Sequence, residues 1–409
     1  MIQSKEQRKN LYFSLMLILF LFYYSYRYIL QVNDNITSAY VYTDTPEILK
    51  WIKYILFAIL LLLSFLNDRK IHLERENWII KLPMLFLFVQ CTIYGIMIRN
   101  QPILTFAIML IPMFLYPTEN QIPKQESTEK ILDVFWYYTT IYEFIQIILY
   151  YTIERVPALA FPHYGSLMAI RYGGAMDDPN GYATVLIFFI FWFLMQKTSV
   201  KSMIRLVITL FMLVFTWSGT GYLALIVTAI LFFLMRIKDK AVIKKYLIFA
   251  GIAVILILGC FIYDSQMIPS IFQYIIRGKG GSMEMHFKSW DVSMLDAKTW
   301  LGIHPVCLTY GEVGYIRLLE IGGIPSVIAF LIMSVGGLFR MSHRINDIDD
   351  KQKPMLYGAL AYMLAFLVSM LNLPKIVNFD CMGLFTVCLI LVMTGRDNKQ
   401  NKEGLSTNV

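Results

Sequence analysis

The sequence predicts an all-α polytopic membrane protein, a single unit over residues 1–409, with about twelve transmembrane helices and two substantial extracytoplasmic loops. Three observations carry that expectation. Of the 409 residues, 57% are hydrophobic and only 16% charged, with a mean hydropathy of +0.58, outside the balance of a soluble domain. Apolar runs able to cross ~30 Å of hydrocarbon recur along the whole length, with no soluble-looking block longer than about 50 residues between them. The basic residues gather in alternate connections, as they do in a chain threaded back and forth through a bilayer.

In order, the apolar runs lie near 11–30, 50–67, 79–98, 102–116, 131–153, 179–196, 203–217, 220–236, 246–263, 314–339, 354–372 and 378–394. The first follows a basic stretch, KEQRK, but is too long for a signal peptide and lacks a small-residue cleavage site, so it reads as an uncleaved span. Pro112 in the fourth run and Pro325 near the start of the tenth should kink their helices, because proline removes a backbone donor and crowds the preceding turn. The seventh and eighth runs are separated by little more than WSGT, small residues that suffice for a tight hairpin. Cys91, Cys260, Cys307, Cys381 and Cys388 fall mostly inside apolar runs with no metal-like spacing, and read as packing residues.

Charge sets the orientation. Twenty-four of the 36 Lys and Arg fall on the side of the N-terminus and nine on the other, which places both termini in the cytoplasm. The net charge of +8 is spread over short connections and not over one helical face or arm, so no nucleic-acid partner is expected; membrane lipids are the surrounding solvent. Loops 154–178 and 263–313 then lie outside and form the expected active-site face.

Three polar clusters stand out. In RYGGAMDDPNG, Asp178 suits a helix N-cap with Pro179 at the first helical position, while Arg171 and Asn180 are left over from that local explanation. In IIRGKGGSMEMHFKSWDVSMLDAKTWLG, Arg277, Lys279, His286 and Lys288 make a basic patch among glycines whose amides could cradle an anion, and Trp290, Met294 and Leu295 are spaced for one helical face. In TYGEVGYIRLLEIGG, Arg317 and Glu320 are three apart and can pair on one helix, while Glu312 has no obvious local partner. Charges at the mouth of a span are functional candidates by default.

An outer-loop arginine leading into Asp178-Pro179-Asn180-Gly181, the Ser218-Gly219-Thr220-Gly221 hairpin, a long loop ending in Trp290 to Trp300-Leu301-Gly302, and a helix with Tyr315-Ile316 and Gly322-Gly323-Ile324 together resemble the O-antigen polymerase and O-antigen ligase superfamily, over about residues 130–340. The resemblance implies a GT-C-like glycosyltransferase of the bacterial cytoplasmic (inner) membrane. It would act on undecaprenyl-pyrophosphate-linked oligosaccharides at the outer face, with no cofactor and no metal, beside a flippase and a chain-length regulator of the same pathway. By position, Arg171 and Arg277 would bind the donor pyrophosphate, assisted by Lys288, Arg317 and Asp177 around the glycan, and Asn180 would be the family asparagine. Glu312 stands where ligases carry a histidine, with Val313, Ile316 and Gly323 at the following motif positions. This makes Glu312 the preferred general base and His286 the second candidate. The arginine-to-glycine spacing of some polymerases is absent: eleven residues beyond Arg155, Arg171 and Arg277 stand Ser166, Tyr182 and Lys288. The hairpin has Ser218-Gly219 where the family has Ser-Arg. The departures favour a repeat-unit polymerase over a ligase, with a flippase of lipid-linked oligosaccharide as the alternative.

Overall fold

Among the described residues, twelve helices have fifteen residues or more: α1 (Lys5–Phe22), α2 (Glu47–Asn67), α3 (Trp78–Met97), α4 (Gln101–Leu115), α5 (Gln125–Ile153), α6 (Pro179–Met195), α7 (Val200–Phe215), α8 (Gly219–Arg236), α9 (Lys240–Tyr263), α11 (Gly314–Asp347), α12 (Lys353–Ser369) and α13 (Phe379–Met393). The short α10 (Ala297–Trp300) precedes α11, and a 3-10 turn, Lys375–Val377, precedes α13. Two small antiparallel pairs join Val32–Asn33 (β1) to Val156–Pro157 (β2), and Ala160–Pro162 (β3) to Ile170–Tyr172 (β4). The computed structural model describes residues 5–23, 32–33, 47–67, 77–99, 101–115, 125–153, 156–157, 160–162, 170–174, 176, 178–263, 288, 290–293, 295–303, 313–348 and 350–393.

Helix α6 is apolar on every side, with Val185 through Leu194 all buried, which is the pattern of a central helix and not of an amphipathic surface one. It packs against α7, α8 and α12, and α12 in turn against α8, α11 and α13. Helices α3 and α4 flank α11 and α13, and α1 seats against α2, α5 and α13. The outward faces are as apolar as the core. Rows such as Leu82, Val89, Ile96 on α3 and Leu223, Ile226, Ile230, Leu234 on α8 are exposed. A continuous patch of this kind suits lipid chains and would drive aggregation in water. Helices α3, α8 and most of α11 (Gly314–Asn346) are long and apolar enough to cross a membrane.

Within the described residues each apolar run of the sequence coincides with a helix, but several helices continue past it; residues 24–30 of the first run lie outside the described residues. Helix α1 starts at Lys5 and not at 11, α5 at Gln125 and not at 131, α9 at Lys240 and not at 246, and α11 runs to Asp347 and not to 339. The added turns are polar, and backbone hydrogen bonding carries a helix beyond the point where hydropathy stops. All four extensions sit at one end of the bundle. There Arg205 pairs with Asp133 at 2.9 Å and with the Tyr137 hydroxyl at 2.7 Å, Arg236 reaches Asn346 at 2.6 Å, and Arg344 bonds the Leu391 carbonyl.

Helix α11 is bent as Pro325 predicts, but the break falls just before the proline. Gly322 and Gly323 leave helical geometry, and Gly323 takes φ +65°, which a side chain rarely adopts. The freed Gly322 carbonyl accepts from Gln90 Nε2 at 3.0 Å, and Ser326 Oγ donates to Gln90 Oε1 at 2.6 Å. The end of α10 fills the break: a Cβ on Gly323 would lie 2.4 Å from the Trp300 carbonyl oxygen. One expectation is corrected here. Trp290 and Leu295 do not share a helical face; they sit in turns before α10, Trp290 exposed and Leu295 buried, because Asp296 caps a new helix at Thr299.

Candidate functional site

At the opposite end of the bundle from the arginine ties, the N-termini of α6, α8, α11 and α13 come together with the C-termini of α7 and α12. Asp178 caps α6 as its sequence predicts: Oδ2 accepts from the Gly181 amide at 2.9 Å, and Pro179 takes the first helical position. The same carboxylate accepts from Asn180 Nδ2 at 3.1 Å and from Lys375 Nζ at 3.2 Å. Burial works against the Asp178 charge, but Lys375 and Arg171 outweigh it and hold the carboxyl below the usual range. Lys375 is only 1% exposed and comes from the 3-10 turn before α13.

Arg171 is delivered by β4, whose pairing sets Arg171 opposite Phe161. Its Nη2 donates to Asn180 Oδ1 at 2.7 Å, and its Nε to the Thr216 carbonyl at 3.1 Å. The two residues that a helix cap leaves unexplained thus bind each other. Asn180 Oδ1 accepts a second bond, from Ser218 Oγ at 2.7 Å, and the Ser218 oxygen caps α8 by accepting from the Gly221 amide at 3.0 Å. The Ser-Gly-Thr-Gly hairpin, which local turn chemistry explains on its own, is therefore part of the cluster. Trp217, immediately before it, adopts φ 47°, uncommon for a bulky residue. Thr220 accepts from Asn372 Nδ2 at 2.7 Å, and Thr184 contacts Ser369 at 3.2 Å, so the C-terminal end of α12 closes the ring. Asp380, in the first turn of α13, is buried, with Oδ1 accepting from the Cys381 amide at 2.8 Å.

Arg317 and Glu320 pair as expected, Nη1 to Oε2 at 2.9 Å, one turn inside α11. Glu320 is 2% exposed. Beside them α11 and α12 form an apolar cleft of about 540 Å³, lined by Trp290, Tyr315, Ile316, Leu319, Leu367 and Leu371 among others. Lys288 is exposed and helical, two residues before Trp290. Asp177, Arg277, His286 and Glu312 lie outside the described residues. Cys91, Cys381 and Cys388 are buried and free, as packing residues should be. No group of three or more His, Cys, Asp or Glu suited to a metal occurs among the described residues.

Two cations, Arg171 and Lys375, thus flank one carboxylate where helix N-termini converge, and backbone dipoles add positive potential there. Such a place can hold an anion, and the C-terminal end of α12 connects it to the cleft, with Leu371 in the cleft lining and the next residue, Asn372, bonded to Thr220. No protein-family model matches the chain, and no curated protein matches it in sequence.

Proposed function

We propose that the protein is a polysaccharide repeat-unit polymerase: a metal-independent, GT-C-like membrane glycosyltransferase with twelve spans that joins undecaprenyl-pyrophosphate-linked oligosaccharides into a surface polysaccharide such as O-antigen or capsule. The observation that carries the reading is the convergence of Arg171, Asn180, Asp178 and Lys375 on helix N-termini beside an apolar cleft. A lipid pyrophosphate has those two parts, a doubly charged headgroup and a prenyl tail. In this reading the site end faces outwards, and the arginine-tied end lies at the inner surface of the bacterial cytoplasmic membrane with both termini.

The reaction is a single inverting displacement. An acceptor hydroxyl attacks the anomeric carbon of the donor, the bond from that carbon to the pyrophosphate oxygen breaks, and undecaprenyl pyrophosphate leaves with the electron pair. Glu312 takes the hydroxyl proton, with His286 as the second candidate. Arg171, joined from the loops by Arg277 and Lys288, stabilises charge as it builds on the leaving group, a task suited to a guanidinium because it binds phosphate oxygens in pairs. Arg317, Asp177 and Asn180 orient the glycan and its headgroup.

The test is reconstitution with purified lipid-linked repeat unit. A polymer ladder is expected, reduced at least ~10²-fold by Arg171→Ala and incompletely restored by Arg171→Lys. Translocation without polymer would favour a flippase, and transfer to a lipid A-core acceptor a ligase. Normal ladders from both Arg171 variants would remove this arginine from the reaction.

A further inference from the structure

The core-facing stripe of α5 changes character along its length. Leu132, Phe135 and Trp136 occupy its apolar half; Thr139, Glu143 and Gln146 continue it, at spacings of four and three, towards the end that carries Arg171. All three polar residues are buried, Glu143 at 1% exposure and Gln146 at 0%. Neither carboxylate oxygen of Glu143 and neither amide atom of Gln146 completes a hydrogen bond among the described residues, and Glu143 forms no ion pair among them. The Tyr182 hydroxyl, from the first turns of α6, faces Glu143, and Tyr142 lies alongside Gln146. Gly174 roofs the group: a Cβ there would come within 2.3 Å of the Tyr182 ring and 2.6 Å of Thr139 Oγ1, and its φ of +51° turns the chain back over them.

Four such atoms in one place are unusual, because each unsatisfied buried group costs roughly 1–3 kcal/mol and a charged one more. Buried charges persist where they are paired or where they coordinate a cation. The unsatisfied oxygens are hard ones, two from Glu143 and one from Gln146, and the hydroxyls of Thr139 and Tyr182 border them. One carboxylate balances one positive charge; a divalent ion would leave an excess in an apolar interior.

We propose that Glu143, Gln146, Thr139 and Tyr182 form a buried binding site for a monovalent alkali cation, Na⁺ being the probe, between α5 and α6 beneath the Gly174 roof. The bound ion ties α5 to α6 directly under the segment that presents Arg171. The site stands on its own residues and does not depend on the polymerase reading.

The experiment uses the purified full-length protein in detergent, with NaCl exchanged for N-methyl-D-glucamine chloride at constant ionic strength. Wild-type Tm is expected to climb with the logarithm of Na⁺ concentration, as ligand linkage requires. Glu143→Gln keeps the shape and removes the charge, so its Tm should be flat across the series. Thr139→Val, which keeps every charge, should move the Na⁺ response to higher concentration without abolishing it. A flat wild-type series, a Glu143→Gln response equal to wild type, or stabilisation that follows pH alone would each overturn the assignment.

Discussion

Asp178 holds three positions at once: it caps α6, fixes the Asn180 amide and pairs with Lys375. Its folded pKa lies below the unfolded value of about 3.9, so its contribution is complete above that pH and is lost as pH falls through the lower folded value. Asp178→Asn still caps but cannot titrate. Below about pH 4, wild-type Tm should therefore fall more steeply than that of Asp178→Asn, and equal slopes would show that the Lys375 and Arg171 charges do not act on this carboxyl. The cap was legible in the sequence because its bond spans three residues. The partners of Arg171 and Asn180 were half legible: both stood out as unexplained, but which groups would satisfy them depends on chain reversals that no local pattern encodes. Ser218 reaches Asn180 from 38 residues away, and Lys375 reaches Asp178 from 197 away. The Ser218 signal was masked by a sufficient local account of the hairpin. Glu143 gave none beyond being a lone carboxylate in an apolar run.

At the scale of elements, the apolar runs located every long helix among the described residues, while their polar extensions were hidden because hydropathy reports the solvent and not the backbone. The α11 break shows the complementary limit. Proline announced a bend, yet its position was set by two glycines and by α10 docking against them. Gly323→Ala would place a methyl group 2.4 Å from the Trp300 carbonyl and strain a left-handed backbone. It should lower stability by about 1–3 kcal/mol, and thermal unfolding of the purified variant in detergent would show this as a fall in Tm. The stretch from 290 to 295 is the element where periodicity failed: Trp290 and Leu295, placed on one face by their helical spacing, were overruled by the Asp296 cap, which starts the helix later, while Met294 lies outside the described residues.

For the whole molecule, charge segregation is the organising feature. Arg205, Arg236 and Arg344 tie helices at one end, and the Asp178 cluster sits at the other. Exposed Lys238 and Lys298 lie towards these respective ends and report orientation. In intact cells a membrane-impermeant maleimide should label Lys298→Cys readily and Lys238→Cys only after permeabilisation; the reverse pattern would invert the topology. The bend in α11 has a further consequence at this scale. Gly314 N donates to the Met370 carbonyl at 2.9 Å, so the short N-terminal arm of α11 is held at its tip while Gln90 grips its pivot. Arg317 lies about 8 Å along that arm, so a rocking of ~15° would carry its backbone ~2 Å. A shift of α10 against the break would therefore re-aim a cation while the longer C-terminal arm of the same helix stayed in place.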